Sequence, residues 1–101
     1  MTGEAPVGSR RLELVLRRSR FHLLPGVRPT VVIAGRGQPA QWGHGTWLVP
    51  ADAPVEIGVF LFNRVWRFGE ASQTVLPEHT RLVYRAPLLP RGTGRIELSA
   101  V

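Results

Sequence analysis

The chain has 101 residues and no cysteine, which excludes disulfides, thiolate metal sites and thiol nucleophiles. Its length fits one domain, and a hydrophobic fraction of 44% excludes wholesale disorder. All 13 basic residues are arginine and they face seven acidic residues, for a net charge of +6. This excess indicates either an anionic partner or a GC-rich genome that encodes arginine in place of lysine.

The first eight residues are small or polar and predict a flexible N-terminal tail (1–8), followed by a single domain over residues 9–101. No basic segment leads into an apolar core as in a signal peptide, and no apolar run approaches the roughly 20 residues that span a bilayer. We therefore expect a soluble cytoplasmic protein or one associated with a membrane surface.

The first ordered element is predicted over residues 11–17, where a leucine occupies every second position from 12 to 16. This alternation predicts a strand with one apolar face. A helix is the alternative, because Glu13 and Arg17 stand at the spacing of a helical ion pair. The segment is short for a helix and has no capping box, which favours the strand.

The rest of the chain reads as short strands separated by Gly- and Pro-rich turns. The predicted strands are residues 30–34, 40–42, 46–49, 55–62, 72–76, 81–86 and 95–99. Among the turns are residues 35–39, 43–45 and 69–70. Seven or eight short, mainly antiparallel strands with frequent turns predict an all-β fold, either a β-sandwich or a small barrel. We expect a single small β-sandwich.

Residues 55–69 form the most informative segment. One face of its strand carries Val55, Ile57, Val59 and Leu61, which is typical of a strand packed on a core. The other face carries Phe60 and Phe62, and Trp66 and Phe68 follow beyond a break at Asn63-Arg64. The residues that we expect to be buried are Leu14, Ile33, Ile57, Val59, Leu61, Leu82 and Tyr84.

Five segments carry a resemblance to a known family. They are Arg-Arg-Ser-Arg-Phe (17–21), Val-Val-Ile-Ala-Gly-Arg (31–36), Gly-His-Gly-Thr-Trp-Leu-Val-Pro (43–50), Pro-Val-Glu-Ile-Gly-Val (54–59) and Thr-Val-Leu-Pro-Glu-His-Thr-Arg-Leu-Val-Tyr (74–84). Their order resembles that of the small PEGA-like β-sandwich domains of bacteria, many of them actinobacterial and without an assigned function. The chain departs from that pattern at Ala34-Gly35, where Asp-Gly is usual. The resemblance implies a sandwich fold and supplies no catalytic residues.

The sequence contains no catalytic, metal or cofactor motif. The three histidines, at 22, 44 and 79, stand far apart in or beside predicted turns, without the paired spacing of a zinc site. No serine lies in a Gly-x-Ser-x-Gly frame, and Asp52 is the only aspartate. We therefore expect a protein that is not an enzyme and that needs no metal or cofactor.

The densest charge lies at the start of the chain and could bind anions. Its predicted anion-binding residues are Arg11, Arg17, Arg18 and Arg20. The alternative is an edge strand that charge protects from aggregation. No aromatic RNA-binding motif interleaves with these arginines, so nucleic acid is not the expected partner.

The aromatic segment gives the functional prediction, a non-catalytic interaction module that binds a protein, most simply another copy of itself, through the aromatic strand and its edge. The predicted interface residues are Phe60, Phe62, Arg64, Trp66, Arg67 and Phe68. One alternative is a peripheral module on an anionic membrane surface, with Phe62, Val65, Trp66 and Phe68 dipping in. Another is carbohydrate binding, which requires tryptophans exposed on one sheet face.

Overall fold

The computed structural model describes residues 8–18, 27–62, 67–87 and 92–100. Within these ranges the chain forms eight strands and no helix, so none that could cross a membrane. The strands are Ser9–Arg17 (β1), Arg28–Ile33 (β2), Arg36–Pro39 (β3), Gly43–Pro50 (β4), Val55–Phe62 (β5), Arg67–Val75 (β6), Arg81–Arg85 (β7) and Arg95–Ser99 (β8).

The strands form two four-stranded sheets that pack as a small β-sandwich, as the sequence predicts. The first sheet has the order β4-β1-β7-β8, and the second has the order β3-β2-β5-β6. The named strand pairs are antiparallel except β1 and β7, which run parallel. Both β1 and β5 therefore lie inside their sheets, with a paired strand on each side.

The core lies between the sheets and follows the period-two alternation of the sequence. On β5, the four aliphatic residues from Val55 to Leu61 are buried, while the residues between them are half-buried or exposed. All seven residues predicted to be buried are buried. Each fully buried side chain of this kind contributes about 1.5–3 kcal/mol to folding.

The region between β2 and β4 differs from the prediction. A two-residue turn at Ala34 and Gly35, with φ of 50° and 84°, closes a hairpin, so β3 occupies most of the predicted turn 35–39. The predicted strand 40–42 is wrong, and the predicted turn 43–45 is instead the start of β4. Glycine is tolerated there because β4 is an edge strand with β1 as its one partner.

The predicted turn at residues 69–70 is a β-bulge within β6. Val59 pairs with Ala71 and Leu61 pairs with Phe68. Two residues of β6, Gly69 and Glu70, therefore lie opposite the single residue Phe60 of β5. Gly69 adopts φ of 68°, the left-handed conformation that this type of bulge requires. The chain therefore continues as one strand rather than turning.

The two sheets are joined along one side. The backbone N–H of Gly69 donates to the carbonyl of Gly92 at 2.8 Å, and that of Gly94 donates to the carbonyl of Glu70 at 3.1 Å. These bonds tie the start of β6 in the second sheet to the segment that enters β8 in the first sheet.

Candidate functional site

The outer face of the second sheet carries exposed aromatic surface. Phe62, at the end of β5, is 46% exposed, and Phe60 is half-buried two residues earlier on the same face. Among the described residues, Leu48 is the other exposed large hydrophobic side chain, and it lies on the first sheet. The aromatic surface of β5 therefore belongs to a sheet face, because β5 has no free edge.

Arg67 lies against this aromatic surface. Its guanidinium carbon Cζ is 4.4 Å from the centroid of the Phe60 ring, which is a cation–π contact. Arg67 also pairs in register with Phe62 across β5 and β6 and is exposed. Arg67 therefore lies together with Phe60 and Phe62, three of the residues that the sequence predicts in the interface.

A shallow open depression of about 470 Å³ lies beside Phe60. Its lining consists of Val32, Gly58, Val59, Phe60, Arg67, Glu70, Ala71 and Ser72. The absence of a side chain at Gly58 leaves room there: a Cβ atom would meet its nearest neighbour, the Ala71 carbonyl oxygen, at an ordinary 3.5 Å. We call this hollow the Gly58 depression.

The charges on this face are unevenly distributed along β5. Arg28 and Arg67 flank Phe62 from the two neighbouring strands. Glu56 lies at the opposite end of β5, about 20 Å away at the rise of a β-strand. The outer face of the second sheet thus has a basic aromatic end and an acidic end, and the exposed Glu70 and Arg67 both line the Gly58 depression between them.

Phe68 does not share this surface. It pairs with Leu61 and is buried in the core, 7% exposed, because its side chain faces inward just before the bulge. The prediction that Phe68 lies on the exposed surface with Phe62 is therefore wrong, and the two cannot enter a membrane surface together. Arg64 and Trp66 lie outside the described residues.

The two described tryptophans are half-buried against the core. The indole Nε1 of Trp42 donates to the carbonyl of Val27 at 3.1 Å, and Trp47 lies on the inward face of β4. Neither Trp42 nor Trp47 is exposed on the outer face of a sheet. Carbohydrate binding would require tryptophans exposed in that way.

The three described arginines among the predicted anion-binding residues do not form one cluster. Arg11 and Arg17 share the outer face of β1 but lie about 20 Å apart along the strand. Arg18 lies over the Trp42 ring, with Cζ 5.9 Å from its centroid. Arg20 falls outside the described residues. Since β1 is an interior strand, edge protection does not explain its charges.

Arg17 instead joins two arginines that the sequence did not single out. It pairs in register with Arg85 on β7, which pairs in register with Arg95 on β8. All three are exposed on the outer face of the first sheet, and we call them the arginine row. The alternation of residues 81–86 is the sequence signal that predicts an outward Arg85. The sequence does not show that β1 and β8 are the strands that pair with β7, so it does not show which residues lie beside Arg85.

Two ion pairs lie on the same outer face. Arg81 Nε is 3.0 Å from Glu13 Oε1, and Arg85 Nε is 3.1 Å from Glu97 Oε1. The hydrogen bond from Arg81 lowers the pKa of the Glu13 carboxyl below its ordinary value. Each pair joins side chains on adjacent strands. Because these side chains are partly exposed, each pair contributes little to stability.

The described histidines have separate surroundings. His44 is exposed on β4, where it pairs with Val15, rather than lying in a turn. The Nδ1 atom of His79 accepts a hydrogen bond from the backbone N–H of Leu76 at 3.0 Å, which stabilises the turn between them. In the part of the chain that the structure describes, no three His, Asp or Glu side chains converge as metal ligands would.

Comparisons with protein-family models, with curated proteins and with solved structures found no match.

Proposed function

We propose that this protein is a non-catalytic interaction module that associates with a second copy of itself through the outer face of its second sheet. The observation that carries the proposal is the exposed Phe62, next to a half-buried Phe60 and an unfilled hollow over Gly58. Exposed aromatic side chains beside such hollows are typical of interface anchors.

The arrangement of this face is self-complementary. A two-fold dimer places the same surface of each copy against the other. If two β5 strands stack face to face in opposite directions about their centre, Phe60 of one copy lies over Gly58 of the other. The Gly58 depression then receives the partner ring, and both hollows are filled at once.

The charges agree with the same arrangement. In that antiparallel stacking, Glu56 of one copy lies opposite Phe62 of the other. Phe62 pairs with Arg28 and Arg67, and the Arg67 guanidinium lies over the neighbouring Phe60 ring, so a carboxylate approaches positive charge at each end of the contact. A parallel arrangement would instead place arginines against arginines, so the charges favour one orientation.

The surface is small for an interface. Four strands spaced about 4.8 Å apart and about 20 Å long give a face of about 400 Å² per copy, below the usual size of specific, stable protein contacts. We therefore expect a weak dimer, with a Kd on the order of micromolar.

Sedimentation equilibrium tests the proposal. The wild type should dimerise at concentrations on the order of 100 μM, and Phe62→Ser should weaken the dimer about tenfold or more, as loss of an aromatic anchor does. Leu48→Ser is the matched control, since Leu48 is equally exposed on the other sheet and should leave the dimer unchanged.

A charge exchange tests the orientation. Glu56→Arg alone, and Arg28→Glu with Arg67→Glu, should each abolish dimerisation, because each places like charges together. Mixed in equal amounts, the two variants should form a heterodimer with opposite charges at both ends. A wild type that stays monomeric, or a mixture that does not associate, would overturn the proposal.

A further inference from the structure

The arginine row presents three like charges on adjacent strands. Arg17, Arg85 and Arg95 occupy directly paired positions across β1, β7 and β8. At the spacing of strands in a sheet, their Cα atoms extend over about 10 Å. Like charges at directly paired positions destabilise a sheet, so folding alone gives no reason for this arrangement.

Few acidic side chains neutralise the positive charge of the arginine row. Glu97 binds the Nε atom of Arg85 and leaves other donors of that guanidinium free. Within the described ranges, no carboxylate pairs with Arg17 or Arg95. On the same outer face, Glu13 neutralises Arg81 four residues away along the strands, and Arg11 is a single exposed arginine about 20 Å from Arg17. The arginine row is therefore where positive charges adjoin one another on this face.

A depression adjoins the row where β7 ends and β8 begins. It is open, has a volume of about 340 Å³, and is lined by Arg85, Ala86, Pro87, Thr93, Gly94 and Arg95. Thr93 is exposed and lines the same depression, so its hydroxyl is a further donor for a ligand there. This combination of arginine forks and a hydroxyl around a hollow matches the donors that bind phosphate oxygens.

From this geometry we infer that the arginine row and its depression bind a ligand that carries two or more phosphate groups. The row is wider than a single phosphate, so one group would occupy the depression between Arg85 and Arg95 while a second reaches Arg17. The phosphates can belong to a soluble polyphosphate or to neighbouring lipid headgroups, since both present the same oxygens. This inference does not depend on the proposed dimer, which uses the other sheet.

Thermal unfolding in inorganic tripolyphosphate tests the inference. A ligand that binds only the folded protein raises its Tm, so tripolyphosphate should raise the Tm of the wild type above that in sodium chloride of equal ionic strength. The variant Arg17→Gln with Arg95→Gln should bind tripolyphosphate about tenfold or more weakly, as the loss of charge-assisted hydrogen bonds predicts.

The control variant removes the same charge elsewhere. Arg11→Gln with Arg36→Gln changes two exposed arginines, at the far end of β1 and on β3, and should bind as the wild type does. Without ligand, the row variant should unfold at or above the wild-type temperature, because it relieves repulsion. Its loss of binding would then not come from misfolding.

Flotation with vesicles distinguishes the two sources of phosphate. Binding to phosphatidylglycerol vesicles but not to phosphatidylcholine vesicles, without a Tm shift in tripolyphosphate, would identify headgroups as the ligand, provided that the row variant fails to float. A row-dependent Tm shift in tripolyphosphate would identify a soluble ligand. The inference is overturned if the wild type binds neither, or if the row variant and the control variant lose equal affinity, since net charge alone would then account for binding.

Discussion

The hydroxyl of Tyr84 donates a hydrogen bond to the backbone carbonyl of Gly69 at 2.6 Å, and both residues are buried. Tyr84 lies on β7 of the first sheet, and Gly69 lies in the bulge of β6 in the second. The bond therefore crosses the sandwich. It satisfies a carbonyl that the bulge would otherwise leave without a ladder partner.

Tyr84→Phe should destabilise the fold by about 1–3 kcal/mol, because the Gly69 carbonyl would remain buried without its donor. Unfolding in urea, followed by tryptophan fluorescence, measures the change. Thr46→Val is the control, since it removes an exposed hydroxyl from β4 and should change stability by less than about 0.5 kcal/mol. A Tyr84→Phe variant as stable as this control would show that the bond between the sheets contributes nothing.

Tyr84 should also resist ionisation at high pH. Burial raises the pKa of its phenol above the ordinary value, because the phenolate would be desolvated. In the unfolded chain the phenol loses its proton at a lower pH than in the folded protein. The stability that the neutral phenol contributes is therefore fully present below the unfolded pKa and is lost as pH rises from the unfolded pKa through the folded pKa.

The test is direct because Tyr84 is the only tyrosine in the chain. In a spectrophotometric titration, tyrosinate absorbance should appear together with loss of the folded circular dichroism signal. Ionisation near the ordinary tyrosine pKa in a protein that remains folded would contradict the burial of the phenol.

The space around Tyr84 leads to a third prediction. A methyl group at Gly94 would collide with ring carbon Cε1 of Tyr84 and lie 2.8 Å from the Gly69 carbonyl oxygen. Gly94→Ala should therefore cost about 1–3 kcal/mol, the usual range for overpacking. Gly58→Ala is the matched control, because a methyl group there meets ordinary contacts and should be neutral or slightly stabilising. Equal urea midpoints for the two variants would contradict the tight packing.

The alternation of the sequence is sufficient to predict the faces of the central strands. The aliphatic residues of β5 and the pair Leu82 and Tyr84 are buried as predicted, because a strand with one apolar face can pack only one way. Turn positions are harder to read. Gly69 is a turn signal in the sequence, yet the same positive φ serves a bulge within a continuous strand.

The candidate sites depend on strand neighbours, which alternation does not fix. Phe60 and Phe62 share an outer face as predicted, whereas Phe68 turns inward because the bulge changes the phase of β6. The association of Arg17 with Arg85 arises from a parallel pairing between strands at opposite ends of the chain. No local pattern encodes that pairing, so the arginine row could not be predicted from sequence.

The ion pair between Glu13 and Arg81 should be detectable by NMR. Because the Arg81 guanidinium donates to the Glu13 carboxylate, the pKa of Glu13 should lie below that of an unpaired glutamate. A depressed pKa contributes stability above the unfolded value, and this contribution is lost as pH falls through the folded value. Carboxyl chemical shifts measured against pH in the wild type and in Arg81→Gln give the test. An unchanged Glu13 pKa in the variant would mean that the pair does not form in solution.

The hairpin between β2 and β3 offers a stabilising substitution. Ala34 has φ of 50°, a left-handed conformation that costs a residue with a Cβ atom about 1–2 kcal/mol. Asparagine adopts this conformation more readily and precedes glycine in the favoured two-residue hairpin turn. Ala34→Asn should therefore raise stability by about 0.5–1 kcal/mol, measured as an increase in urea midpoint at unchanged slope. Gly35→Ala should lower the urea midpoint, because Gly35 has φ of 84°, which a residue with a Cβ atom rarely adopts. If Ala34→Asn destabilises the protein, the turn does not have positive φ at its first position and the register of β3 against β2 must differ.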